Sequence, residues 1–134
     1  MVARSVDDAL LRVDGMVARH APYEEVMAAL DACASLPGAQ AVLPGIGQRR
    51  VGVTFLYERS DEERERELIA FLAIDQPMEY RASTLIAACA DRPRLAERYL
   101  IPLIIELEAT WRDEVLESTL RSAHDVITRL GLNP

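Results

Sequence analysis

The sequence predicts an all-α fold: antiparallel helix pairs, arranged as a short solenoid or an irregular helical bundle, in a single helical domain over residues 1–134. Three observations carry this. Half of the residues are hydrophobic but only seven are aromatic, so the core must be built of Ala, Leu, Ile and Val, a composition that favours close-packed helices over a β-sandwich. Residues 75–109 read as two apolar helices broken at Asp91-Arg92-Pro93. The one stretch that alternates like a strand has no second strand to pair with, which would leave its backbone groups unsatisfied.

The central pair organises the rest. In its second helix, Leu95, Tyr99, Leu103 and Leu107 recur every four residues, with Ala96, Leu100 and Ile104 beside them and Ile101 and Ile105 widening the stripe. Such a helix needs neighbours on more than one side. Its uninterrupted apolar run, 99–105, is far short of the ~20 residues that span a bilayer. Pro102 removes a backbone donor and crowds the Arg98 carbonyl, which predicts a kink.

The first helix is expected to start at Ser5, with Asp8 completing a variant capping box. Ala9, Leu10, Val13 and Met16 or Val17 form its inner face, and His20-Ala21-Pro22 ends it. The second, 22–35, turns Val26, Met27, Leu30 and Cys33 inward and closes at Leu36-Pro37-Gly38. Residues 39–43 form one short turn before Pro44-Gly45-Ile46-Gly47 breaks the chain. In 49–58, Val51, Val53, Phe55 and Tyr57 alternate as in a strand, but the lack of a partner strand makes helix the better reading. Nine of the ten residues 58–67 are charged. Ser60 and Glu63 make a capping box, Glu62 and Arg66 an i,i+4 pair, and the charge run reads as a solvated face. The last helix, 112–130, points Val115, Leu116, Thr119, Ala123, Val126 and Leu130 inward, and Gly131 caps it.

Short segments repeat. Thr precedes Phe or Leu in 52–56, 82–86 and 117–121, and 30–37 aligns with 86–93 through Ala-Cys-Ala and a proline. Asp75 is followed by Tyr80-Arg81, and Pro102 by Val115. On these residues the sequence, over about 47–130, resembles HEAT-like helical repeats, in which a proline marks the first helix, an Asp the turn, and an apolar residue then Arg or Lys the second helix. Thr110 and Leu116 depart from that pattern, standing where Asp and a basic residue are expected. The resemblance implies stacked helix pairs whose second helices line a polar ridge. Here the ridge comprises Glu24, Arg50, Glu79, Ser83, Glu114, Glu117 and Arg121.

No catalytic, metal or cofactor motif emerges. Neither His20 nor His124 has Glu three residues before it, and His-Glu-x-x-His, Gly-x-Ser-x-Gly and phosphate-loop patterns are missing. Cys33 and Cys89 both lie between alanines and read as separate free thiols in a core. Without a signal-peptide pattern at residues 1–8, the expected compartment is the reducing cytoplasm. All fifteen basic residues are Arg, which points to a GC-rich, bacterial source. The net charge of −7 repels nucleic-acid phosphates and anionic lipids and suits a basic protein partner.

The expectation is therefore a non-enzymatic protein–protein interaction module with no cofactor, resembling in size and charge a bacterial immunity or inhibitor protein or an adaptor. One alternative is a small helical enzyme or ligand-binding protein with an inter-helix site at Thr84, Thr119, His20 or His124. The other is a homodimer that buries the 95–107 helix against its copy.

Overall fold

The structure is a computed structural model that describes residues 5–133. The chain divides into two compact units, Met1–Ile74 and Asp75–Pro134. The single-domain reading carried no signal for this boundary. The expectation drawn from the N-terminal segment rests partly on residues 1–4, outside the described ones. Among the described residues there is no strand, so the fold is all-α, and no helix is long and apolar enough to cross a membrane.

In the first unit, α1 (Val6–Ala18), α2 (Tyr23–Ala34), α3 (Leu43–Leu56) and α4 (Asp61–Leu72) follow one another, with a 3-10 turn at Ala39–Val42 between α2 and α3. Ser5 caps α1 by accepting from the Asp8 N–H at 3.1 Å. Ser60 caps α4 through the Glu63 N–H at 3.3 Å. Pro44-Gly45 does not break the chain, because Pro44 falls in the first turn of α3, where a missing N–H costs nothing. Residues 49–58 are helical as far as Leu56, as the want of a partner strand required.

α1 and α3 end alike. Ala21 donates to the Met16 carbonyl and His20 to Val17, and Arg59 donates to Thr54 and Glu58 to Phe55. These are Schellman closures without glycine: His20 and Glu58 take φ of 58° and 50°. The core of the unit runs through Leu10, Val13, Val26, Leu30, Cys33 and Ile46. α3 and α4 approach closely at Gly47, where an added Cβ would lie 3.0 Å from both Phe71 Cδ1 and Ile74 Cδ1.

One residue of the charge run is not solvated. Arg64 is 3% exposed, its guanidinium carbon 4.3 Å from the Phe55 ring centroid and its Nε donating to the Arg59 carbonyl at 3.0 Å. The i,i+4 pair that forms is Arg59–Glu63 at 2.9 Å, in place of Glu62–Arg66.

In the second unit, α5 (Met78–Cys89) leads to α6, a rod in three pieces: Pro93–Leu95, a π segment Ala96–Leu100, and Ile101–Glu108. The Ile101 N–H donates to the Ala96 carbonyl five residues back. The π turn is the backbone's answer to Pro102, whose own N–H is missing and which would crowd the Arg98 carbonyl in α geometry. Leu95, Ala96, Leu100, Leu103, Ile104 and Leu107 are buried, and both α5 and α7 (Glu114–Arg129) pack on the rod and on each other. Most of its apolar surface is thus consumed within the unit, although Ile105 is left 58% exposed.

Asp113 caps α7 through the Leu116 N–H at 2.9 Å. Gly131, at φ 72°, closes it, with Leu132 donating to Ile127. The inward face is Leu116, Leu120, Ala123, Val126 and Ile127. Val115 is 58% exposed and Thr119 only half-buried, because the face is centred one residue later than the spacing suggested. Trp111, in the loop before α7, is 83% exposed.

Candidate interaction surface

The expected ridge does not present seven equivalent polar residues. Glu24 and Arg50 lie in the first unit, the other five in the second. Glu24, Glu79, Ser83, Glu114 and Arg121 are exposed. Ser83 Oγ donates back to the Tyr80 carbonyl at 3.3 Å. Glu117 accepts from Arg112 Nε at 2.7 Å, and Arg112 Nη1 also donates to the Leu107 and Thr110 carbonyls. That one guanidinium clamps the loop on which Trp111 stands.

Arg50 departs most from the expectation of an open ridge. Its Nε donates to Glu67 Oε1 at 2.8 Å and its Nη2 to Oε2 at 3.4 Å, while Nη1 donates to Asp31. Burial disfavours its charge, but the bonds and charges of Glu67 and Asp31 outweigh this and hold its pKa above the ordinary value. Arg50 is therefore a tie joining α2, α3 and α4. Beneath it lies an apolar cleft of about 200 Å³ reaching Leu30, Ile46 and Phe71. Arg49 likewise ties α3 to α1, donating to Asp14 at 3.1 and 3.3 Å.

Sequence reading missed a second polar assembly, where α2 begins, α3 ends and α4 begins. The rings of Tyr23 and Tyr57 lie 5.8 Å apart at 53°. Tyr57 donates its hydroxyl proton to the Ala21 carbonyl. The Arg59 guanidinium sits 4.2 Å above the Tyr23 ring and is held by Glu63. Burial first, then the charges of Glu67 and Glu63, push the Tyr23 hydroxyl above its usual pKa. Of the acids on these helix ends, Glu24, Glu25, Glu58 and Glu62 are exposed. The acids that open α2 and α4 also suit the helix dipoles. Glu58 does not: it follows the C-terminus of α3, where the dipole disfavours an acid, and it occupies a left-handed conformation that glycine or asparagine fills more easily. The 50s alternation hid this cluster, and only the Tyr23-Glu24-Glu25 and Tyr57-Glu58 juxtapositions hinted at it.

Of the polar groups expected to line an inter-helix pocket, His20 lies in the first unit and Thr84, Thr119 and His124 in the second. Thr84 is buried, Thr119 Oγ1 donates to the Val115 carbonyl at 2.8 Å, and His20 is exposed. His124 Nε2 lies 2.9 Å from Glu108 Oε1. Cys33 and Cys89 are free and buried; burial raises both thiols, that of Cys89 to about 12. Among the described residues no group of three or more His, Cys, Asp or Glu could hold a metal ion.

Comparison with protein-family models, with curated proteins and with solved structures finds no match.

Proposed function

We propose that this chain is a non-enzymatic protein-binding module, an adaptor or a bacterial inhibitor of the immunity type, that receives a basic surface of another protein in the cytoplasm. The HEAT-like reading of its helix pairs belongs to the same proposal. The observation that carries it is the tyrosine pair at helix ends whose acids Glu24, Glu25, Glu58 and Glu62 are exposed. Tyrosines are favoured anchors in protein interfaces, and an acidic rim steers a basic partner and selects against an acidic one. Glu58 adds weight, since a left-handed acid at a helix end costs about 1 kcal/mol that folding alone does not recover.

The test is capture from a native extract at physiological salt. The protein is expected to retain a basic partner that high salt releases. Glu58→Gly and the double reversal Glu24→Arg, Glu62→Arg are expected to lose it, while Glu79→Arg keeps it. Glu58→Gly should at the same time stabilise the fold, which separates lost binding from lost structure. No retained partner, or a partner indifferent to both changes, refutes the proposal.

A further inference from the structure

A different face of the first unit carries a second inference. α1 and α3 both pack on α2 and are tied to each other by the Asp14–Arg49 pair, and between them runs an apolar groove of about 390 Å³. Val17 and Val53 line it, and the Asp14–Arg49 pair stands beside them. Two features of this face have no explanation within the described residues. Leu56 is 69% exposed at one end of the groove. Gly52, one turn earlier, sits inside α3 with nothing within 4 Å of the position a Cβ would take, so no neighbour requires a glycine there, although glycine weakens a helix. Leu11, on the stripe of α1 that carries Asp14, is a further large apolar side chain left 68% exposed.

A knob and an empty notch one turn apart on one helix face are self-complementary. When two such helices cross antiparallel about a two-fold axis, each knob enters the other's notch. We propose that the α1–α3 face is a self-association surface, on which Leu56 of each copy seats over the partner's Gly52. Charge favours a second copy here. Among the described residues, the only charged ones lining the groove are Asp14 and Arg49, which neutralise each other. In a chain of net charge −7, two copies can therefore meet at this face without opposing like charges. The surface is small: helices of this length span roughly 20 Å, so two of them offer roughly half of the ~800 Å² per partner of a standard interface. The association is weak and depends on concentration.

Sedimentation equilibrium of the full chain from about 5 µM to about 1 mM covers the affinities such an area supports. A reversible monomer–dimer equilibrium is expected. It should strengthen with salt as repulsion between the two acidic copies is screened, the opposite of the salt response of a basic partner. Leu56→Glu and Gly52→Leu should each weaken it about tenfold or more, with helical circular dichroism unchanged. A monomer at every concentration overturns the inference, including one whose groove takes a helix of another protein. A dimer that neither substitution weakens overturns it as well.

Discussion

In the first unit α3 reaches its neighbours through arginines, Arg49 to Asp14 and Arg50 to Asp31 and Glu67, and grooves remain beside both ties. In the second unit α6 is held by burial: Leu100, Ile104 and Leu107 have no exposed surface. Its ties, Arg81–Glu106 at 2.6 Å and His124–Glu108, join side chains that are 30–52% exposed. Each unit also absorbs one awkward residue, the first by laying Arg64 over Phe55, the second by a π turn ahead of Pro102. The difference teaches where specificity and stability separate. Partly exposed ion pairs fix which helices meet but contribute little each, whereas the dry rod stabilises its unit through buried apolar surface. A surface meant for partners is better built on the first kind of unit, where polar ties hold the helices without closing every groove.

The largest effects should come from truncating the two cores. Ile104→Ala, in the dry rod, is expected to cost about 4 kcal/mol, and Leu30→Ala about 3 kcal/mol, because Leu30 already borders a cleft into which its neighbours can relax. Urea denaturation measures both, and equal costs would erase the contrast between the units. Next is the principal tie. Arg50→Ala leaves Glu67 and Asp31 facing each other across a half-buried gap, at about 2 kcal/mol after discounting for solvent. Smaller again is a contrast within α3. Gly47→Val forces a side chain against Phe71 and Ile74 and should cost about 1–3 kcal/mol. Gly52→Ala, in open space, should gain about 0.5–1 kcal/mol. Thermal melts that moved the same way for both would mean that α3 and α4 are less closely packed at Gly47 than the distances indicate.

Local rules made much of this legible. Ser5 and Ser60 announced helix starts, Gly131 announced an end, and the spacing of Val26, Met27, Leu30 and Cys33 named a buried face. What stayed hidden depends on partners distant in sequence. Arg50 meets Asp31 and Glu67, 19 and 17 residues away, so no helical spacing could reveal that it is tied. Arg64 is buried by Phe55 on another helix. His20 and Glu58 close helices at positions where glycine is the usual residue. Val115 turns outward because α7 begins at Glu114 and takes its phase from Leu116. Of the expected ridge, the exposure of Glu24, Glu79 and Glu114 followed from periodicity. The pairing of Tyr23 with Tyr57 did not, since those residues belong to separate stretches of the chain.

The smallest effect tests whether the polar ties of the first unit respond to acid while the rod of the second does not. The hydrogen bond from Arg59 holds Glu63 below its ordinary 4.5, outweighing the opposing effect of burial, with Arg59's charge and Ser60 assisting. A carboxyl with a lowered folded-state pKa binds its proton less readily than in the unfolded chain. Its contribution is therefore complete above the unfolded value and disappears as pH falls through the folded one. Glu63→Gln should melt slightly below the natural protein at pH 7, and the gap should close below pH 4.5 as the natural side chain becomes neutral too. The deficit of Ile104→Ala, with no titrating group removed, should persist over the same range. A Glu63→Gln gap that stays constant down to pH 2 would mean that the Arg59 bond does not hold in solution.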